Sequence, residues 1–230
     1  MSTTTLAVGG AKGLRFWNTT NGKKAIMAVS GAVLFGFILV HLADNLQIYL
    51  GPERFNDFAH LLHSLEGPLW VVRSVLILAV LAHIWSTIQL AIIKSHARPV
   101  GYVRYQPSKS TYASRTMYMS GPIVAAFVVY HLLHLTFGMG GTAFDSEDPY
   151  SNVIAGFRVP AISIAYIIAI ALLCLHLRHG IWSAFQTLGC NHPNYTPKLR
   201  VLATLIALII FFGFISIPIS IMAHVVPRSL

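Results

Sequence analysis

The chain has 230 residues, of which 55% are hydrophobic and only 10% are charged. This composition is too apolar for a soluble domain of this size and is typical of a protein that crosses a membrane several times. A formal net charge of +9 would suggest nucleic-acid binding in a soluble chain. Here the basic residues flank apolar segments, which favours a role in membrane orientation and argues against a nucleic-acid partner.

Five long apolar stretches follow one another, and each exceeds the roughly 18–20 residues that a helix needs to span a bilayer. They predict transmembrane helices at about 24–46, 67–94, 117–138, 159–188 and 199–224. The backbone of such segments must satisfy its own hydrogen bonds, which favours helices. We therefore expect an all-α, polytopic bundle of five transmembrane helices. Residues 1–22 would form an N-terminal tail, and 23–230 one membrane domain with short connecting loops.

Lysine and arginine residues set the predicted orientation. They cluster in the tail, in the loop at about 95–116 and before the fifth span, and these three segments lie on one side of the membrane. All seven acidic residues fall on the other side, partly in a loop at 139–158 that we expect to be polar and flexible. The bias predicts a cytoplasmic N-terminus and an outer C-terminus, in a multi-pass protein of a bacterial cytoplasmic membrane.

Four histidines lie at matching depths in the first four spans. Each comes 16 or 17 residues after the start of its helix, at Lys24, Gly67, Arg115 and Pro160: they are His41, His83, His131 and His176. This is roughly 24–26 Å of travel, past the midplane of a bilayer ~30 Å thick. Because successive helices alternate in direction, the depths predict an outer pair, His41 with His131. They predict an inner pair, His83 with His176.

Ionisable residues inside a membrane span are costly, and they are functional by default. Neutral imidazole is a common axial ligand of haem iron, and ligation by two histidines fills both axial positions, which favours electron transfer over oxygen chemistry. The two pairs therefore predict two stacked b haems in the core of the bundle. The outer pair would hold one haem and the inner pair the other.

Three alternatives compete with this interpretation. The histidines could only pack and form interhelical hydrogen bonds, in a haem-free membrane anchor. A zinc or copper site would need ligands at one level, usually with Cys or carboxylate, whereas the histidines divide between two levels. A small proton-coupled transporter would need a polar path, and the helices carry few acidic residues.

Helices three and four each carry a His-x-x-His motif, which points both imidazoles to nearly the same face. The second histidines of these motifs are His134 and His179. Either could contact a haem propionate or act as a reserve ligand, and Arg178 could also contact a propionate. Depth favours the first histidine of each motif as the ligand.

The chain resembles the single-subunit, di-haem cytochrome b anchors of succinate dehydrogenases and fumarate reductases. The matching segments cover nearly the whole chain: 22–31, 37–42, 51–56, 60–65, 113–117, 130–134, 179–189 and 191–193. The run His-Gly-Ile-Trp-Ser-Ala-Phe-Gln-Thr-Leu-Gly at 179–189 is the most specific of them. In this family the equivalents of the four histidines ligate two b haems in the pairing given above, and all four are present here.

The resemblance implies partners that the chain alone does not reveal. These are a flavoprotein subunit with covalently bound FAD and an iron–sulfur subunit, both on the cytoplasmic face, where the basic loop at 95–116 offers a docking surface. Electrons would pass from succinate through these subunits and the haems to a membrane quinone, either menaquinone or ubiquinone. Enzyme activity would then belong to the complex, which could form a higher oligomer.

An outer quinone site could lie at the outer end of the second span. Its candidate residues are His60, His63, Glu66 and Arg73. A carboxylate there could exchange protons with the quinone oxygens, since quinone reduction takes up two protons with two electrons. These residues could instead lie in a loop that faces solvent or lipid headgroups. A site at the inner side, near Trp182, Ser183 and Gln186, is a further alternative.

Overall fold

The computed structural model describes residues 16–97, 112–190 and 192–226, and these ranges contain helices and no strands. Their seven α-helices are α1 (Thr20–Asn45), α2 (Pro52–Ser64), α3 (Glu66–His96), α4 (Tyr112–Leu135), α5 (Pro149–Phe157), α6 (Pro160–Thr187) and α7 (Thr196–Met222). The predicted all-α class is confirmed. The predicted tail up to residue 15, and positions 98–111 of the predicted docking loop, lie outside the described residues.

The long helices coincide with the predicted spans to within a few residues. Four segments are long and apolar enough to cross a membrane: Thr20–Leu50, α3, α6 and α7. In α4 the described apolar part, Met119–Leu135, is shorter. Large apolar side chains face outwards on these helices; Val40 is 68% exposed and Ile209 is 67% exposed. Such extensive apolar surface indicates contact with lipid, so the membrane prediction is confirmed.

Three predicted boundaries or loops differ from the structure. Helix α1 begins at Thr20, because the Thr19 side chain caps it by accepting from the backbone N–H of Gly22 at 3.0 Å. Two connections predicted as loops contain helices, α2 within about 47–66 and α5 within 139–158. Gly51, with a φ of 95° that favours glycine, directly precedes Pro52 at the start of α2. The expectation of a flexible loop at 139–158 is therefore wrong over α5.

Helix α6 lies at the centre of the bundle. It packs against α1, α4, α5 and α7, and α1 in turn packs against α3 and α7. The packing order α3–α1–α6–α4 leaves α1 diagonally opposite α4 and α3 diagonally opposite α6. Buried residues such as Leu42, Tyr166 and Ile210 connect α1, α6 and α7 in one core. At Gly213 a Cβ would lie 2.9 Å from Cδ1 of Leu42, so this glycine permits the close approach of α1 to α7.

Helices α2 and α5 are joined through Asn56 at the end of the bundle where α1 finishes. Its Nδ2 donates to the Asp148 carboxylate at 2.8 Å, and its Oδ1 accepts from the backbone N–H of Tyr150 at 3.0 Å. Asp148 also caps α5 by accepting from the N–H of Ser151 at 3.0 Å. Burial acts to raise the pKa of Asp148, but the hydrogen bonds from Ser151 and Asn56 outweigh it and lower the pKa below the usual 3.8.

Replacement of Asn56 by Ala should therefore destabilise the protein. The loss of these hydrogen bonds costs about 1 kcal/mol, which lowers the thermal midpoint by roughly 3 °C in a chain of this size. A carboxyl group with a lowered pKa contributes stability above its ordinary pKa, and that stability is lost as pH falls through the lowered value. The difference between variant and wild type should thus shrink between pH 7 and pH 3.

Thermal unfolding of the detergent-solubilised protein, followed by circular dichroism at both pH values, measures this effect. Asn194→Ala provides a control, because Asn194 is exposed and lies at the other end of the bundle. An Asn56→Ala midpoint equal to that of wild type at pH 7 would show that the α2–α5 contact carries no stability.

Candidate functional site

The structure brings the histidines together in the two predicted pairs. The ring centroids of His41 on α1 and His131 on α4 lie 5.8 Å apart, with the ring planes at 84°. Those of His83 on α3 and His176 on α6 lie 6.2 Å apart, with the planes at 64°. Each pair connects two helices that are diagonally opposite in the bundle. We keep the names outer pair and inner pair from the predicted orientation.

Both separations suit two imidazoles that share one metal ion. Metal–nitrogen bonds of about 2 Å on each side place the centroids of two such rings roughly 6 Å apart. In the ranges that the structure describes, no three His, Cys, Asp or Glu side chains come together as a metal-binding group. Each pair can therefore supply two axial ligands, with the remaining positions around the metal left to a planar macrocycle such as haem.

The surroundings of the inner pair orient His83. Its Nδ1 lies 3.2 Å from the backbone carbonyl oxygen of Met27 and 3.3 Å from the hydroxyl of Ser30, both on α1. An Nδ1–H that donates to a carbonyl leaves the lone pair of Nε2 free for a metal. Gly31 allows the contact, since a Cβ there would lie 3.2 Å from Cε1 of the His83 ring.

His176, the other member of the inner pair, has a ring nitrogen without a hydrogen-bond partner in the described structure. This atom, Nδ1, is buried. His179 follows one turn later and is half-buried. Arg178 is exposed, and its Nε donates to the Thr204 hydroxyl on α7 at 3.0 Å. Two of the three predicted propionate contacts, Arg178 and His179, therefore lie on the helix that carries His176.

A tyrosine that the sequence pattern did not single out links the histidines of α4. The Tyr166 hydroxyl on α6 lies 2.9 Å from Nδ1 of His134 and 3.4 Å from Nδ1 of His131. His134 is only 3% exposed. Glycines enclose its ring: a Cβ at Gly156 would lie 2.7 Å from Nε2, and one at Gly140 would overlap the ring. His131 faces His41, whereas His134 is held by Tyr166, which disfavours His134 as a reserve ligand or propionate contact.

His41 completes the outer pair from the last turns of α1. Its ring stacks on Phe37, with centroids 5.2 Å apart, and lies 6.0 Å from the ring of Phe214 on α7. The side-chain amide of Asn45 donates to the His41 carbonyl at 2.7 Å and lies 3.3 Å from both ring nitrogens. An amide and two aromatic rings thus surround this imidazole.

The residues predicted for an outer quinone site lie at the same end of the bundle as the outer pair. His60 and His63 are exposed on α2, and Glu66 and Arg73 belong to the first turns of α3. The His60 imidazole lies 3.9 Å from the Glu147 carboxylate. The guanidinium of Arg73 lies 5.4 Å from the centroid of the Trp70 ring. His60 and Arg73 therefore contact these neighbours rather than each other.

The alternative quinone residues lie at the opposite end, near the start of α7. Trp182 is buried, and the guanidinium of Arg200 lies 4.6 Å from the centroid of its ring. Ser183 is half-buried and Gln186 is exposed. One face of the indole is thus covered by a cation, an arrangement that stabilises both groups.

Comparisons with known proteins agree with this architecture. The family described as succinate dehydrogenase/fumarate reductase transmembrane subunit matches residues 94–215, more than half of the chain. The chain is also 25% identical over 176 residues to the succinate dehydrogenase cytochrome b558 subunit of Bacillus subtilis (strain 168), covering 76% of this chain and 81% of that protein. No solved structure matches it significantly. The chain therefore belongs to the family of transmembrane subunits of succinate dehydrogenases and fumarate reductases.

Proposed function

We propose that this membrane subunit conducts electrons through two b haems between an iron–sulfur subunit and a membrane quinone. The observation that carries the proposal is the pairing of four imidazoles across diagonal helices, at centroid distances of 5.8 and 6.2 Å. The name of the Bacillus subtilis relative, a cytochrome b558 subunit, supports b-type haem in particular. The family itself supports a role in a succinate dehydrogenase or fumarate reductase complex.

In this proposal His41 and His131 hold the outer haem, and the inner pair holds the other. A haem with two histidine ligands accepts and releases single electrons without a change of ligand. The two histidine pairs lie at separate levels along the helices, which suits electron transfer from one haem to the other. Ser30, which contacts the inner pair, precedes His41 by 11 residues on α1, which corresponds to about 16 Å along the helix axis. Arg178 and His179 are the residues of α6 that we assign to the propionates of the inner haem.

The proposed partners are a flavoprotein with FAD and an iron–sulfur subunit on the cytoplasmic face. Most of the basic residues of the chain fall on the side where α1 and α7 begin, with Lys23, Lys24, Lys198 and Arg200 among them. A positive bias on this side supports the predicted orientation. In this orientation the proposed inner haem would lie on the side of the iron–sulfur subunit, and electrons would reach the inner pair before the outer pair.

We assign quinone binding to the outer end, near His60, His63, Glu66 and Arg73. Quinone reduction needs proton donors as well as electrons, and exposed carboxylate and imidazole groups at the surface of the bundle can exchange protons with water. Glu66 is the most useful of these groups for a test, since it is exposed at the first turn of α3. The inner site at Trp182, Ser183 and Gln186 is the competing assignment.

Replacement of His131 by Ala should remove one of two haems from the purified complex. The expected haem content, measured as the pyridine haemochrome per chain, is two for wild type and one for the variant. The variant His134→Ala provides the matched control, because it removes the other imidazole of the same motif and should retain both haems.

The two alternatives to this assignment give distinct results. Two haems in His131→Ala and one in His134→Ala would transfer the ligand role to His134. A wild-type complex without haem, seen as a reduced-minus-oxidised spectrum that lacks an α band, would instead identify a haem-free anchor and overturn the proposed function.

Replacement of Glu66 by Gln should slow quinone-linked turnover of the complex about 100-fold, the typical contribution of a positioned proton donor. Succinate oxidation linked to a soluble dye and the haem spectra should not change, because the variant leaves the flavin, the clusters and both histidine pairs intact. Glu53→Gln is the control, since Glu53 is an exposed acid on α2 at the same end. Normal quinone turnover in Glu66→Gln would exclude Glu66 and favour the inner site.

A further inference from the structure

The Tyr166 hydroxyl lies between two imidazoles that have different roles in the proposed function. Tyr166 is 3% exposed, and its oxygen is 2.9 Å from Nδ1 of His134 and 3.4 Å from Nδ1 of His131. A phenol has one hydrogen to donate and can accept one at the same time. It cannot donate to both imidazoles, so at least one of the two must donate to the phenol oxygen.

Ligation of iron by His131 would identify His131 as that donor. If Nε2 of His131 binds the metal, its Nδ1 carries the proton and must donate to the Tyr166 oxygen. The Tyr166 hydroxyl is then free to donate to Nδ1 of His134, which is the shorter of the two contacts. The result is a chain in which His131 donates to Tyr166 and Tyr166 donates to His134.

Packing holds this chain in place. The rings of Phe127 and Phe157 meet the Tyr166 ring edge-on, with centroids 5.1 and 4.8 Å away. The enclosure of His134 by two glycines restricts movement of the acceptor. Because packing already restricts these side chains, they lose little further conformational freedom when the hydrogen bonds form. The geometry of donor and acceptor is therefore preorganised.

The neighbours of His83 in the inner pair differ from those of His131. His83 faces a backbone carbonyl and a serine hydroxyl. A phenol that itself donates to an imidazole is polarised by that bond, and it becomes a better acceptor than it would be alone. His83 and His131 therefore have different acceptors next to their Nδ1 atoms.

We infer that Tyr166 and His134 act together as positioning residues that fix the tautomer of His131 and make it a stronger electron donor to the outer haem. This inference rests on the proposed function. A more basic imidazole stabilises ferric iron relative to ferrous iron. Tyr166 and His134 together therefore keep the reduction potential of the outer haem low. The hydrogen-bond chain thus helps to set the order in which the two haems are reduced.

The direct test is Tyr166→Phe in the intact complex, with each haem's midpoint potential measured by optical redox titration. The variant keeps the aromatic ring and removes only the hydroxyl. The potential of the outer haem should rise, while that of the inner haem and the content of two haems per chain should be unchanged. Tyr130→Phe is the control: this tyrosine stacks on His134, with centroids 5.8 Å apart, and should leave both potentials unchanged.

Two shape-matched variants test the part assigned to His134. His134→Asn keeps an acceptor near the position of Nδ1 and should leave the outer potential close to that of wild type. His134→Leu removes the acceptor and should raise that potential by less than Tyr166→Phe does. Because His134 acts only through Tyr166, the double variant Tyr166→Phe/His134→Leu should match Tyr166→Phe alone.

The outcomes separate this inference from the proposed function. Two haems with unshifted potentials in Tyr166→Phe would overturn the inference and leave the haem assignment standing. Equal shifts of both potentials, or additive effects in the double variant, would also overturn it, because they would indicate a general change in packing. A wild-type complex without haem would overturn both.

Discussion

A polar group inside a membrane must find its partner within the protein, because lipid offers none. This constraint explains why the spans are helical, and it also explains the arrangement of the imidazoles. His83 satisfies it through a carbonyl and a hydroxyl of α1, and His131 through the hydroxyl of Tyr166. In these two histidines Nδ1 is thereby engaged by the protein, and Nε2 remains available for a metal.

The long helices could be predicted from the sequence because length and apolarity alone determine a membrane span. The length criterion did not detect helices α2 and α5, because they are only 13 and 9 residues long. Their signals are nevertheless present. A proline opens each of them, after Gly51 in one case and after the capping residue Asp148 in the other. Attention to helix starts, and not only to apolar runs, would have predicted both.

The histidine pairs could be predicted from the sequence for a similar reason, since the depth of a residue in a helix follows from counting residues. Their hydrogen-bond partners could not, because these depend on how each helix is rotated towards its neighbours. Ser30 illustrates the difficulty: its hydroxyl also bonds to the carbonyl of Ile26, as serines in apolar helices commonly do. A hydroxyl in a span therefore does not by itself identify a site. A quinone site depends on surface geometry, which the counting of residues cannot supply.

Helix α1 serves both levels of the bundle at once. It supplies His41 to the outer pair, and about three turns earlier it presents Met27 and Ser30 to His83. A rigid helix that touches both proposed haem sites links them mechanically, because any tilt or shift of this helix would alter the surroundings of both. Amino-acid changes along its length are therefore expected to have correlated effects at the two levels.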